Sequence, residues 1–438
     1  MAADAVRRPR GSLTKLRTNG LARLVIGLVL LVVAAEILSG WSPAAHTFTI
    51  TTLINVVIVV GLFVFVGNSG VVSFGQISFM AIGAYATGLL TTEVSRKSFL
   101  LPNLPHWIET LHFATLPALI VVGIGVAIFG AVMGIPLMRL SGLSASIATL
   151  ALLIVVNVVI SQSESITGGT QIFVGVPLTT TTEVAAAGAC FAIVVAALFS
   201  RSRIGLRLRA SRDDPPAARA CGIGITFERV VAFGLSAGLI AVAGALYAHQ
   251  LGSFGPKNFY FEITFITLAM LVVGGIFSLE GAVVGAILIS VIEELLGRLE
   301  NGEGLGPIHL TLHDGVTSIV LAIIVILVMI FRPAGLVGGR AASDGDRGAE
   351  DQGVGSAEPV VVETDEPAGQ RAGDDADQQA LDRLVRRDGG RELARAEGPA
   401  AEIGARIADE RRREHEHDDP PAVQRVAQEH GVREGEPD

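Results

Sequence analysis

Ten long apolar stretches follow one another through the first 340 residues of this chain, and they constrain its fold more than any other feature. A helix that spans a bilayer needs roughly 20 mostly apolar residues, because its backbone groups find no water in the hydrocarbon. Several stretches are short or nearly contiguous, which is typical of broken or re-entrant helices. The sequence therefore predicts an all-α polytopic membrane protein with about ten transmembrane helices. The stretches are residues 23–39, 50–67, 70–92, 116–138, 143–161, 184–200, 229–249, 262–279, 281–297 and 315–331.

Charge divides the chain near residue 340. Residues 341–438 carry 13 Arg, no Lys and 26 Asp or Glu, whereas residues 1–340 carry 20 Lys or Arg and 16 Asp or Glu. The tail has few large apolar residues, so it cannot bury enough surface to offset the entropy of ordering its backbone. We therefore predict three consecutive segments: a basic cytoplasmic arm over 1–22, a transmembrane domain over 23–338 and a charged, disordered tail over 339–438.

Basic residues are distributed unequally between the two sides that ten crossings would define. Sixteen of the 20 Lys and Arg residues before position 341 fall on the side of the N-terminal arm. Because cytoplasmic segments carry an excess of Lys and Arg, we predict that the N-terminal arm and the C-terminal tail are both cytoplasmic. Losing one crossing near residue 280 would put the tail outside. A cleaved signal peptide with its apolar core at 24–35 is the alternative interpretation of the first stretch.

The sequence lacks the motifs that mark the common classes of enzyme. None of Lys15, Lys97 and Lys257 follows the glycines of a phosphate-binding G-x-x-x-x-G-K-[ST] loop, so no ATPase site is predicted. His309 and His313 have the spacing of helical metal ligands, but a solvated external loop is the favoured interpretation. The basic residues form no dense patch that would bind nucleic acid. We predict no catalytic residue, no metal site and no cofactor.

Glycines and polar residues interrupt the apolar pattern between the second and third stretches. At membrane depth such a run breaks a helix, and the freed backbone groups line a cavity or bind polar groups of a substrate. A tight cytoplasmic turn between two ordinary helices is the alternative interpretation. The predicted lining of a translocation path is Gly67, Asn68, Gly70, Ser73, Gly75 and Gln76, together with Asn157 in the fifth stretch.

The longest hydrophilic loop of the body, residues 201–229, contains seven Arg. Asp213 or Asp214 can cap a short helix that Pro215 and Pro216 open and that Gly222 ends. A short helix on the cytoplasmic face suits docking into a groove of another protein. Its alternative is a basic loop that only fixes the topology and contacts lipid headgroups.

Four stretches of the chain match one known family in that family's order, namely residues 67–85, 202–225, 232–285 and 331–338. Together they resemble the LivM-type permeases of branched-chain amino-acid ATP-binding-cassette (ABC) transporters. The resemblance extends over about residues 20–338. The four stretches are highly specific in combination, although none of them would be specific alone.

The resemblance implies a multi-pass permease of a bacterial-type plasma membrane. It would pair with a second, related permease subunit, two cytoplasmic ATP-binding subunits and an extracytoplasmic substrate-binding protein. ATP binding and hydrolysis on those partners would switch the bundle between inward and outward access. Residues 217–222 match the A-A-x-x-x-G pattern of the loop that ABC permeases dock onto their ATPases. The coupling residues implied within 201–229 are Arg207, Asp213, Asp214, Ala217, Ala218 and Gly222.

The sequence departs from the family pattern in two ways. Pro215 and Pro216 stand where an acidic or aliphatic residue is more usual, which would shift the start of the coupling helix. The tail has no family counterpart.

The substrates that the resemblance implies are leucine, isoleucine and valine, with urea or short-chain amides as the alternative. An ion-coupled secondary transporter is disfavoured, because the apolar stretches lack the buried acid–base chains that such carriers need.

Overall fold

The computed structural model describes residues 27–100, 104–300, 316–332 and 335–337. These residues belong to the first of the two units into which the chain divides, residues 1–353. The predicted arm over 1–22, the predicted tail over 339–438 and the loop with His309 and His313 lie outside the described residues.

Helices dominate the described residues, as the apolar pattern predicts. The longer ones are α1 (Gly27–Ser39), α2 (Pro43–Ser69), α3 (Gln76–Thr91), α6 (Thr115–Leu137), α7 (Leu143–Gln162), α9 (Thr182–Arg201), α10 (Arg203–Asp213), α12 (Ile225–Leu251), α13 (Phe261–Gly274), α14 (Leu279–Glu300) and α15 (Val316–Phe331). The shorter elements are α4 (Val94–Leu100), α5 (His106–Glu109), α8 (Glu164–Thr167), α11 (Pro215–Ala220), strands β1 (Phe173–Val174) and β2 (Ser253–Phe254), and a 3-10 helix over Pro256–Phe259.

A helix coincides with each of the ten predicted apolar stretches, but not every helix is long and apolar enough to cross a bilayer. Both α3 and α15 have 16 residues, which is fewer than a full crossing normally takes. The all-α polytopic architecture is therefore confirmed, while the number of about ten crossings stays a prediction. Among the described residues, six segments have sufficient length and apolarity, namely Pro43–Ser69, Thr115–Leu137, Leu143–Gln162, Thr182–Arg201, Ile225–Leu251 and Pro256–Gly274.

Helix α12 lies at the centre of the bundle and packs against α2, α3 and α6. Its backbone touches that of α3, because a Cβ atom at Gly244 would lie only 2.0 Å from the carbonyl oxygen of Met80. A Cβ atom at Gly83 would likewise lie 2.3 Å from the carbonyl oxygen of Ala241. Small residues allow such close packing inside a bilayer, where no hydrophobic force drives one helix against another.

Helices α13 and α14 form a tight antiparallel pair, and residues 336–337 contact the end of α13. A Cβ atom at Gly274 would lie 2.0 Å from the carbonyl oxygen of Gly281, so the two backbones are in contact. After α15, the N–H of Leu336 donates to the carbonyl of Val273 at 3.0 Å, and the N–H of Val337 donates to that of Gly274 at 3.2 Å. Residues 335–337 therefore lie at the end of α13.

The bundle has two distinguishable ends. Helices α10 and α11 connect α9 to α12 and mark one of them, which we call the loop end. At the other, which we call the sheet end, β1 pairs with β2 in antiparallel register, with Phe173 opposite Phe254. The ring of Tyr85 packs edge-on against that of Phe254, with centroids 5.0 Å apart, as aromatic pairs prefer.

Candidate functional site

The predicted interruption between the second and third apolar stretches is present in the structure. Helix α2 continues to Ser69 and is ended by Gly70, whose φ of 71° is left-handed, a conformation in which glycine carries no steric penalty. The next six residues, 70–75, are not helical, and α3 begins at Gln76. The helix of the predicted third stretch, residues 70–92, therefore begins only at Gln76, because Gly70 ends one helix before the next begins.

This interruption is recessed from the ends of its neighbours rather than placed at the mouth of the bundle. The N–H of Phe74 donates to Oγ1 of Thr149 at 3.2 Å, and Oγ of Ser146 donates to the carbonyl of Val72 at 2.7 Å. Thr149 lies six residues into α7, which is about 9 Å at 1.5 Å per residue. The chain between α2 and α3 thus lies against the second turn of α7, inside the loop end.

Buried polar atoms collect around the interruption without partners. Nδ2 of Asn68 donates to the carbonyl of Val64 at 3.0 Å, but its Oδ1 has no hydrogen-bond partner within the described ranges. The same holds for Oγ of Ser73 and for both amide atoms of Gln76, and all three side chains are buried. Each such atom costs about 1–3 kcal/mol unless it meets water or a ligand, so these atoms call for polar partners that the described residues do not supply.

Asn157 is not brought together with the other predicted path residues. Its Nδ2 donates to the carbonyl of Pro256 at 3.1 Å, in the 3-10 helix at the sheet end. The predicted path residues therefore fall into two groups, one recessed behind the loop end and one close to the aromatic residues of the sheet end.

The short helix predicted in the hydrophilic loop is present as α11. Asp214 rather than Asp213 is its N-cap, and one carboxylate oxygen of Asp214 accepts a hydrogen bond from the N–H of Ala217 at 3.0 Å. Such a cap stabilises a helix by about 1 kcal/mol. Gly222 follows the helix with a φ of 77°. The prolines that depart from the family pattern thus occupy the first turn, where a missing N–H costs nothing.

Helix α11 presents most of its surface to solvent. Ala217 and Gly222 are exposed, whereas Ala218 is buried and anchors the helix. Among the described residues, and leaving aside its two chain neighbours, no heavy atom lies within 4 Å of the position that a Cβ of Gly222 would take. A small, open, rigid projection of this kind can enter a groove on another protein.

Two contacts tie α10 to the membrane helices beside it. Nη1 of Arg207 lies 3.4 Å from Oε1 of Glu228, in the first turn of α12, and the Glu228 side chain is only 4% exposed. The guanidinium of Arg209 donates to the carbonyl of Ser200 at the end of α9. Burial lowers the pKa of Arg209, and the charge of Arg212 lowers it further, while Asp213 raises it. The loop is therefore held rigidly on the bundle.

Sequence reasoning missed Arg212, which joins this loop to the recessed interruption. Its Nη1 donates to the carbonyl of Gly67 at 2.9 Å, and its guanidinium carbon lies 4.4 Å from the ring centroid of Phe277. Nothing local distinguishes Arg212 from the other arginines of 201–229, because Gly67 and Phe277 are both remote from it in the chain.

Comparison with known proteins places these features in one family. The profile of the family described as "Branched-chain amino acid transport system / permease component" matches residues 44–330. The high-affinity branched-chain amino acid transport system permease protein LivM of Escherichia coli (strain K12) is 27% identical over 320 residues, which are 65% of this chain and 68% of that protein. LivM of Salmonella typhimurium is 26% identical over the same shares.

A shorter match links the chain to a permease with a different named cargo. The autoinducer 2 import system permease protein LsrC of Salmonella typhi is 34% identical over 99 residues, which are 22% of this chain and 28% of that protein. No solved structure matches the chain significantly.

Proposed function

The chain belongs to the family of branched-chain amino acid transport system permease components, and on that basis we propose that it is the transmembrane permease subunit of an ABC importer of branched-chain amino acids. The observation that carries the proposal is the match of the family profile over residues 44–330, which include the interrupted helices and the hydrophilic loop. The named activity of the LivM relatives supports the choice of leucine, isoleucine and valine.

We propose that the polar atoms around the interruption line the inner part of the translocation path. An amino acid carries a carboxylate and an ammonium group, so its passage needs both hydrogen-bond donors and acceptors. The amide of Gln76 supplies both kinds, and Ser73 and Asn68 add a hydroxyl and a carbonyl oxygen. The residues proposed for the path are Gly67, Asn68, Gly70, Ser73, Gly75 and Gln76 at the loop end and Asn157 at the sheet end.

We propose that residues 201–229 dock onto separate ATP-binding subunits. The capped, solvent-exposed helix α11 supports this role, since a rigid helix transmits a displacement of the ATP-binding subunits that a flexible loop would not transmit. The assembly would contain two such subunits, a second permease subunit and an extracytoplasmic substrate-binding protein. The residues proposed to couple are Arg207, Asp213, Asp214, Ala217, Ala218 and Gly222.

We further propose a topology of ten crossings with both chain ends in the cytoplasm. Residues 335–337 lie at the end of α13, and Phe277 just beyond that end contacts Arg212 of α10. The last described residues and the hydrophilic loop therefore share the loop end, which supports an even number of crossings between the arm and the tail. The excess of basic residues on that side supports its cytoplasmic placement.

Uptake of labelled leucine, isoleucine, valine and urea tests the function. The comparison is between cells that lack only this chain and the same cells complemented with it. Loss of amino-acid uptake that returns on complementation is the expected result. Loss of urea uptake alone would keep an importer and overturn the substrate, and unchanged uptake of all four would contradict the proposal.

The short match to LsrC adds autoinducer 2 to the same assay as a further labelled substrate. Collapsing the ion gradient in vesicles that contain ATP distinguishes an ABC importer from a secondary transporter. Uptake through an ABC importer would persist, whereas uptake coupled to an ion would stop.

A further inference from the structure

We infer that Arg212 carries motion from the ATPase-coupling loop to the inner end of the translocation path. It is a positioning residue, since it holds the α2–α3 interruption and the α13–α14 turn to α10 without touching the substrate. The inference rests on the proposed function, and it adds a residue that neither the family resemblance nor the sequence pattern assigns.

The first contact of Arg212 is with the end of α2. Gly67 lies in the last turn of that helix, where carbonyl groups lose their helical N–H partners. The N–H of Val71, which would continue the helix to Gly67, instead lies 3.2 Å from Oγ of Ser69. Nη1 of Arg212 donates to the Gly67 carbonyl at 2.9 Å and so replaces the missing partner with a charged one.

The second contact is with the turn between α13 and α14. The guanidinium carbon of Arg212 lies 4.4 Å from the ring centroid of Phe277, within the range of a cation–π interaction. The same turn touches α2 directly, because a Cβ at Gly67 would lie 2.6 Å from the carbonyl oxygen of Ile276. Arg212 therefore sits at a junction of two segments that border the inner path.

The stem of Arg212 also fills the space that a glycine leaves. A Cβ at Gly70 would lie 2.6 Å from Cγ of Arg212, and Gly70 has a left-handed φ. The position thus requires glycine for its backbone conformation, and the absence of a side chain there admits the arginine. A shift of Arg212 would consequently press on the first residue after α2.

Arg212 is itself part of the coupling loop and contacts a further residue of it. Arg212 lies in the last turn of α10, two residues before Asp214, the N-cap of α11. Its Nη2 and Nε lie 2.9 and 3.0 Å from the same carboxylate oxygen of Asp213. One planar guanidinium therefore contacts the coupling loop, the end of α2 and the turn between α13 and α14. Lysine has no planar fork with which to make these contacts together.

The test uses the complete transporter reconstituted in liposomes with its ATP-binding subunits, partner permease and substrate-binding protein. Uptake of labelled leucine and hydrolysis of ATP are measured in the same preparation for Arg212→Gln and Arg212→Lys. We expect uptake to fall about tenfold, the scale of one lost charge-assisted contact, while ATP hydrolysis stays within about twofold of wild type. The number of ATP molecules hydrolysed per leucine then rises, and the leucine concentration for half-maximal uptake does not change.

Arg139→Gln is the matched control, because Arg139 is an exposed arginine near the loop end, between α6 and α7. It removes the same charge and should leave the ratio of ATP to leucine unchanged. Phe277→Leu removes only the aromatic face and should raise that ratio less than Arg212→Gln does.

An unchanged ratio in Arg212→Gln and Arg212→Lys, with normal uptake, would overturn the inference. If Arg212→Gln does not assemble with the ATP-binding subunits, the test uses the Arg212→Lys and Phe277→Leu proteins. An unchanged ratio of ATP to leucine in both of them would overturn the inference. Absence of leucine uptake by the wild-type transporter would instead reject the proposed function, whatever Arg212 does.

Discussion

Nη1 of Arg207 lies 3.4 Å from Oε1 of Glu228, so the coupling loop is tied to the first turn of α12 by an ion pair whose acidic side chain is almost fully buried. Arg207 itself is 56% exposed, and the pair therefore contributes about 1 kcal/mol at most. Its importance lies in geometry, because it holds α10 against the first turn of the central helix α12.

Arg207→Glu should reduce leucine uptake about tenfold, since two carboxylates would then face each other beside α12 and displace the loop. The amount of protein inserted in the membrane should stay normal. Uptake per molecule in membrane vesicles is the measurement. The double variant Arg207→Glu with Glu228→Arg should regain part of the activity. Equal activity of Arg207→Glu and wild type would remove Arg207 from the coupling mechanism.

Gly222→Val should weaken coupling, because a β-branched residue is strained at a φ of 77° by about 1–2 kcal/mol. Gly222→Pro should do the same more strongly, since its ring fixes φ near −65°. Gly222→Asn is the matched control, as asparagine tolerates the left-handed region and the site has free space. Leucine uptake should rank Asn above Val and Val above Pro. Equal uptake in all three variants would show that the end of α11 is not part of the docking geometry.

Gln76→Met should lower leucine uptake at least fivefold while leaving the stability unchanged or raised by about 1 kcal/mol, because it removes a buried amide whose atoms have no partner in the described parts of the chain. Thermal unfolding in detergent and uptake in vesicles are the two measurements. Thr87→Val serves as the control, since the buried hydroxyl of Thr87 also lacks a described partner but is outside the proposed path. Normal uptake by Gln76→Met would exclude the amide from the path.

A chain that stops after Arg340 should transport leucine as well as the full-length protein, because the charged tail has few large apolar residues that could pack against the bundle. A chain that stops after Arg332 is the sharper comparison. It loses the N–H groups that serve the buried carbonyls of Val273 and Gly274, each worth about 1–3 kcal/mol when left unpaired. We therefore expect lower yield and lower uptake only for the shorter chain. Loss of uptake by the longer one at normal expression would assign the tail a function.

Features that depend on neighbouring residues were predictable from the sequence. The prolines and Asp214 predicted the start of α11, and the glycines around Asn68 predicted the end of α2. Each predicted apolar stretch coincides with a helix, because the bilayer requirement acts on every stretch separately.

Features that depend on the packing of distant segments were not predictable. Arg212 and Gly67 are 145 residues apart, and no periodicity relates them. The partner of Asn157 was equally hidden, since the carbonyl of Pro256 is 99 residues away. The recess of the interruption became visible only from its contacts with Thr149.

The hydrogen bonds from Leu336 and Val337 to the end of α13 also set an order of events during biosynthesis. A chain emerges from the ribosome with its N-terminal part first, so α13 is made more than 60 residues before its partner segment exists. Until then the carbonyls of Val273 and Gly274 lack these donors, next to the turn that contacts Arg212. The end of α13, beside the turn that contacts Arg212, is therefore completed only after α15 has been made.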